Sequence, residues 1–500
     1  MFSAFFNSFK IPELRKRIIF TLALLAICRV SAWIPVPGVD TQAVDEWLSR
    51  PSSNNAGGLL GMYDLFVGGA LYRGAVGAMG IMPYISASII MQLMVAMVPT
   101  LARLAKEGDV GRAKITQYSR YGAIFLCLVQ GSMMLAAFEH PDQLMNGFTG
   151  QMVVTDGWGG IWGFRIIAVL TMTTASMMLM WLGEQISARG IGNGVSLVIT
   201  VGIVADLPSA VASSVQMAYS GDLHFGKVVF MVVLAIGVIA GIIAITQAQR
   251  KVPIQQAKQI RGQKMMVGGQ SFMPLRLNYS GVMPIIFAQA ILMFPAQIFK
   301  FVPPTFPLAR EMNSWSTAMS PGHWFYYLAN TAMIFFFSYF WVAVQFRPTE
   351  IAENLQKSSG YIPGIRPGQP TADFLNNAMN RITLAGAVFL TIIAVIPDWL
   401  YMNVGINQTI AQFFGGTSML ISVGVMLDTM RQIESQLLMR HYDGFLRKGR
   451  LRGRVTFGGT VGTGRASLMG DSTTRWIIIA FVVAAVVVVA GLVWKLMGHR

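Results

Sequence analysis

The sequence predicts an all-α polytopic membrane protein built from two inverted five-helix halves, with an extra transmembrane helix at the C-terminus. Three observations predict it. The 500 residues are 54% hydrophobic and only 12% charged, with a mean hydropathy of +0.54, whereas a soluble chain carries about a quarter of its residues as charges. Apolar runs of about 20 residues, the length that a ~30 Å hydrocarbon core requires, recur along the chain. Finally, one helix opening, G-x-M-P-x-I-x-A, is written twice: Gly80, Met82, Pro83, Ile85 and Ala87 return as Gly281, Met283, Pro284, Ile286 and Ala288.

The runs fall at 18–34, 79–98, 119–138, 162–183, 193–209, 227–247, 281–301, 323–345, 381–400 and 408–430, with an eleventh at 476–494. The first ends in the turn IPVPG at 34–38, not in a small-residue cleavage site, so it reads as a retained span. Between the first two runs lies LLGMYDLFVGGALYRGAVGAMG, residues 59–80, too short and glycine-rich to cross and carrying Asp64 and Arg73. Such a segment at membrane depth must line or fill a protein cavity. A re-entrant half-helix closing a path and an ordinary interfacial helix both fit its composition.

Lysine and arginine orient the spans. With the N-terminus inside, the inner segments hold 29 of the 38 basic residues and the outer segments 7. The net charge of +16 thereby belongs mostly to cytoplasmic loops facing anionic lipid. In that orientation the second and seventh spans run in opposite directions. A helix opening shared by opposed spans, five spans apart, suggests inverted repeats, chance recurrence of a short opening in apolar sequence being the other reading, and the seam between repeats is where a path would lie. Proline starts a helix at no cost because the N–H it lacks has no partner there.

Ionisable groups are nearly absent from the runs. Arg29 and Arg165 lie near span ends and are expected to reach outward to the interface. A solute transporter holds coupling ions with mid-membrane carboxylates, and these runs offer instead the aliphatic Ile81, Ile85 and Ile286. Cys28 and Cys127 sit inside apolar runs, which excludes a disulfide framework, and the five histidines are scattered without helical pairing, so no metal site is expected. GTVGTGRAS at 459–467 spaces its glycines like a phosphate loop but puts Arg465 and Ala466 where Lys and Ser/Thr are needed, so no nucleotide cofactor is expected. Three function classes follow: a protein-conducting channel, a secondary transporter of a small solute, and a membrane-embedded enzyme. No paired His, Asp or Ser constellation in the spans supports the last.

Ordered motifs then decide among these. KIPELRKRIIFT (10–21), IPVPG (34–38), GIMPYISASIIMQL (80–93), KEGDVGRAKITQYSRYG (106–122), WLGEQISARGIGNGVSL (181–197), NYSGVMPIIFA (278–288), GYIPGIRPGQPTA (360–372) and FGGTSMLI (414–421) resemble the SecY family of bacterial protein-conducting channels. The resemblance covers roughly residues 5 to 455. It implies a clamshell of ten helices around a central pore, without catalytic activity, in the bacterial inner membrane with the N-terminus cytoplasmic. The halves would be 18–210 and 211–430, after a cytoplasmic amphipathic segment 1–17 and before a basic tail and linker 431–475 and the additional helix 476–500.

Carried over by motif, the resemblance places an aliphatic pore ring on Ile81, Ile85, Val195, Ile199, Ile286 and Ile421. Val195 replaces an expected isoleucine, which widens the ring there. A plug falls on 60–74, including Tyr63, Asp64, Leu65, Phe66, Gly68, Gly69 and Leu71. A lateral gate, through which signal sequences and membrane segments reach lipid, falls on the second and seventh spans with their neighbours, at Ser86, Ile89 and Phe294. Loops 248–280 and 346–381 would dock the motor ATPase SecA or the ribosome, with Arg366 in GIRPG as the basic contact. In the first loop the family shows Gly followed by two bases, whereas this chain has Gly262-Gln263-Lys264 and one extra residue before GGQS at 268–271; Arg261 and Lys264 are the bases at hand. SecE-type and SecG-type small subunits, secretory or nascent polypeptides and membrane lipid complete the implied partners.

The family pattern ends near LRKGRLRGR at 446–454. Beyond it, a Gly/Ser/Thr-rich linker leads to the eleventh run, whose Val/Ile surface has Gly491 as its single close-packing notch. It is expected to be a lipid-facing helix with its end outside; a substitute for a small subunit is the other reading.

Overall fold

The computed structural model describes residues 11–41, 59–139, 152–153, 160–219, 225–256, 259–261, 264–266, 270–300, 309–319, 323–400, 411 and 416–449. The eleventh run and its linker lie outside them. The first half comprises α1 (Pro12–Val30), α2 (Leu59–Val67), α3 (Met82–Met97), α4 (Pro99–Lys106), α5 (Asp109–Glu139), α6 (Gly160–Arg189), α7 (Gly194–Ala205) and α8 (Leu207–Tyr219). The second comprises α9 (Phe225–Gln247), α10 (Met283–Lys300), α11 (Ala309–Ala318), α12 (Trp324–Gln345), α13 (Pro348–Lys357), α14 (Gln369–Trp399) and α15 (Thr417–Gly449).

Ten of these helices coincide with the ten apolar runs up to residue 430. By length and composition alone, five stretches among the described residues can cross a membrane: Val76–Met97, Gly160–Arg189, Gly226–Gln247, Trp324–Lys357 and Gln369–Pro397. Gly194–Ala205 and Met283–Leu292 are shorter apolar helices. Large apolar side chains such as Phe125, Trp162, Trp181, Val233 and Leu328 are exposed on the outside of the bundle. Lipid, as apolar as they are, is the solvent that permits this.

The repeated opening has the same backbone both times. Gly80 and Gly281 take φ of 55° and 64°, a conformation that L side chains rarely adopt, and the helices start two residues later at Met82 and Met283. Packing repeats as well. In the first half α3 packs on α5 and α5 on α6; in the second α10 packs on α12 and α12 on α14. The halves meet along two seams, α3 against α10 and α7 against α15. A single apolar core runs between them and joins Ile85 and Ile199 to Ile286, Phe337 and Ile421.

The all-helical expectation omitted one feature. The loop after α9 forms strands β1 (Gln249–Gln256), β2 (Gln259–Arg261), β3 (Lys264–Met266) and β4 (Gln270–Arg276), and Gly360–Tyr361 forms β5. β1 lies between β4 and β5, antiparallel to both, with Val252 opposite Met273 and Gln255 opposite Tyr361. Val252 and Leu275 are buried against Val342, Phe346, Leu375 and Met379 at the ends of α12 and α14. The two long loops are thus one folded unit, further tied by a Tyr361 hydroxyl donating to Gln255 Oε1 at 3.1 Å.

Candidate pore, plug and gate

The six expected ring residues lie at four helix starts. Ile81 is the cap residue of α3 and Ile85 lies one turn on. Val195 and Ile199 occupy successive turns of α7, whose start is fixed by Asn193 accepting the Ser196 N–H. Ile286 and Ile421 lie in the first turns of α10 and α15. The structure brings all six together in one cluster. Ile81, Ile85, Ile199, Ile286 and Ile421 are buried, Ile421 completely, and Val195 is half-buried at its edge.

From Tyr63 on, the described side chains of this segment pack against the first half, and α2 lies against α7. Tyr63, Leu65, Phe66 and Leu71 are buried. The Tyr63 hydroxyl donates to the Met79 carbonyl at 2.9 Å. Asp64 Oδ1 accepts the N–H groups of Leu71 and Tyr72 at 2.9 and 3.3 Å, and its carbonyl accepts the Gly69 N–H at 3.0 Å. Asp64 thereby folds the chain back after α2, through Gly68 and Gly69 at φ of 72° and 78°.

Arg29 corrects an expectation. It does not reach outward: its two terminal nitrogens donate to the Gly68 carbonyl at 3.1 and 3.2 Å. Arg165 does stay near its helix end, paired with Glu139 at 2.7 Å and lying over the Trp162 ring. Asp206, just past α7, was not singled out at all.

Along the α3–α10 seam lies a cavity of about 180 Å³, lined by Ser86, Ile89 and Leu93 of α3, Gln130 of α5, and Ala290 and Pro295 of α10. Two of the three expected gate residues therefore face one apolar space. Of Phe294 only the backbone is described, in α10 beside Pro295. Gln130 Oε1 is buried there without a hydrogen-bond partner.

On the loop side, Arg366 is exposed. Its backbone is held between Gly364 and Gly368, both at positive φ, and its carbonyl accepts the Thr371 hydroxyl at 2.8 Å. The turn fixes the main chain while the guanidinium faces solvent, the geometry suited to an external acidic partner. Arg261 and Lys264 are register partners closing the β2–β3 hairpin.

The SecY family model matches residues 75–430. A protein translocase subunit SecY of Chlamydia trachomatis is 42% identical over 460 residues, which cover 89% of this chain and 98% of that protein. Among solved structures, a SecY channel whose plug domain stabilises the closed state and maintains a membrane seal superposes with a TM-score of 0.58 at 17% identity, over 84% of this chain and 91% of that one. Sec61 of the canine ribosome–channel complex from the endoplasmic reticulum gives 0.52 at 15% identity, over the same shares.

Proposed function

This chain belongs to the SecY family, and from that premise we infer that it is the central channel subunit of a protein translocase. It passes unfolded polypeptides across the membrane and releases hydrophobic segments sideways into lipid. Its role is non-catalytic. The observation that carries this reading is one largely buried apolar cluster in which the six aliphatic residues, drawn from both halves, are joined with Tyr63, Leu65, Phe66 and Leu71.

Each part then has a task. Ile81, Ile85, Val195, Ile199, Ile286 and Ile421 form the ring that closes around a chain without binding it specifically. Residues 60–74 are the plug that fills the path at rest. Ser86, Ile89 and Phe294 belong to the gate, whose cavity already offers an apolar side chain a place to enter. The protein lies in the bacterial inner membrane with its N-terminus cytoplasmic, so the joined loops 248–280 and 346–381 face the cytoplasm. There Arg366, Arg261 and Lys264 present positive charge to SecA or the ribosome, and SecE-type and SecG-type subunits complete the complex. The likeness to a ribosome-bound channel supports the docking face by fold alone.

The experiment is a polar substitution in the ring. Ile421→Asn or Ile286→Asn places an amide where only aliphatic groups meet, hydrating the waist. In reconstituted vesicles both are expected to raise resting ion conductance and to export precursors with defective signal sequences. Wild-type conductance and stringency in both variants would remove the ring assignment.

A further inference from the structure

Four charged residues surround the plug loop, and nothing in the channel reading employs them as a set. Arg29 comes from α1, Asp64 from α2, Arg73 from the chain that follows it, and Asp206 from the end of α7. Two cations and two anions gather there, all four half-buried, where an unpaired charge is costly. Asp64 is occupied with the backbone of Leu71 and Tyr72. Asp206 Oδ1 and the Arg73 guanidinium carbon lie 3.4 and 3.8 Å from one point beside Gly69, the place its missing Cβ would fill. Arg73 also lies over the Trp33 ring of the first half, 4.2 Å from its centroid.

The plug backbone is pressed hard against α7 at the same place. A Cβ on Gly202 would stand 2.8 Å from the Phe66 carbonyl oxygen, and one on Gly68 would stand 2.9 Å from the Gly202 Cα and collide with the Arg29 guanidinium. Glycine on both sides lets the two backbones meet, and Arg29 closes over the contact.

We infer that Arg29 and Asp206 are positioning residues that clamp the plug shut, Arg29 by holding the Gly68 carbonyl and Asp206 by fixing both arginines against the plug loop. The inference rests on the reading of residues 60–74 as the plug. Every clamping group belongs to the first half, so parting the halves at the gate does not free the plug. Opening in this chain has two separate thresholds, and the clamp sets the second.

The test uses the channel complex in vesicles, with Cys28→Ala and Cys127→Ala removing the native thiols and Leu65→Cys reporting the plug. A membrane-impermeant maleimide added outside measures plug release, and resting ion conductance measures the seal. Arg29→Gln is expected to raise both by about tenfold or more, the effect of losing hydrogen bonds from a charged donor. Asp206→Asn raises both by less, and the double variant by less than the product of the two, because the residues act through one another. Deleting residues 60–67 tests the plug itself and is expected to raise conductance; in that channel Arg29→Gln should add nothing. If the deletion leaks while Arg29→Gln and Asp206→Asn behave as wild type, the clamp is wrong and the plug stands. An added leak from Arg29→Gln in the deleted channel assigns the arginine to general packing and equally overturns the clamp. If the deletion does not leak, the plug reading falls instead. Should Arg29→Gln fail to accumulate, Arg29→Lys keeps the charge and loses the two-nitrogen grip; wild-type labelling in it and in Asp206→Asn refutes the proposal.

Discussion

The two seams between the halves are built from similar helices and yet are held by different forces. At the front, α3 meets α10 around an apolar cavity of about 180 Å³. At the back, α7 meets α15, and the Gly192 N–H donates across the seam to Gln432 Oε1 at 2.9 Å. Beside that bond Leu14 and Ile18 of α1, Ile191 and Ile433 form a separate apolar cluster, on the side proposed to face the cytoplasm. Surrounding solvent makes the difference. Parting the front seam exposes aliphatic groups to lipid tails, which are as apolar as the groups they replace, so little hydrophobic force resists it. Parting the back seam exposes four buried side chains to water, at about 1.5–3 kcal/mol each. On the proposed reading one seam is thereby the door and the other the hinge, without any special sequence for either.

The largest effect comes from making the door behave like the hinge. Ser86→Cys with Ala290→Cys places two thiols on the walls of the front cavity, in a channel freed of Cys28 and Cys127. Joining them with a bifunctional thiol reagent is expected to abolish translocation, and reversal of the link to restore it. The same treatment of Leu14→Cys with Ile433→Cys, across the back cluster, is expected to leave translocation largely intact. Equal loss from both links, measured with one precursor in vesicles, would erase the distinction.

A smaller effect comes from filling the door's cavity. Ala290→Leu adds three carbons at a buried position. At about 0.8 kcal/mol per buried methylene, less some strain, the closed seam gains about 1–2 kcal/mol. Marginally hydrophobic segments should then enter lipid about tenfold less often, while strongly hydrophobic ones still pass. The partitioning of a graded series of segments between lipid and the outer compartment measures this. An unchanged threshold would mean that the cavity is not on the exit route.

Much of this was legible in the chain before its structure, and the gaps have physical causes. Spans were readable because lipid demands long apolar runs. The inverted repeat was readable because Gly80 and Gly281 must each provide a positive φ ahead of a proline-started helix. The strands of the 248–280 loop were missed because QRKVPIQQ and QSFMPLR each contain proline and bury few side chains, chiefly Val252 and Leu275. Their partner β5 comes from a loop about a hundred residues away. Arg29 was misjudged and Asp206 overlooked for one reason: each depends on partners distant in sequence, and local pattern carries no record of such pairings.

The smallest expected effect isolates the polar part of the hinge. Gln432 is exposed, and its side chain gives the back seam one hydrogen bond to the Gly192 N–H. Gln432→Ala removes that bond but leaves Leu14, Ile18, Ile191 and Ile433 in place. The donor it frees lies in an exposed turn, where water can replace the lost acceptor, so the cost should be about 0.5–1 kcal/mol. A channel of this size should then lose only a degree or two of thermal stability, with translocation and gate threshold at wild-type levels. Ile433→Ala in the same assay should cost about 2–4 kcal/mol, since it opens a cavity in the water-facing cluster. If Gln432→Ala proves the more damaging of the two, the hinge is held by its hydrogen bond and not by water's exclusion from the cluster, and the contrast between the seams must be rebuilt on polarity.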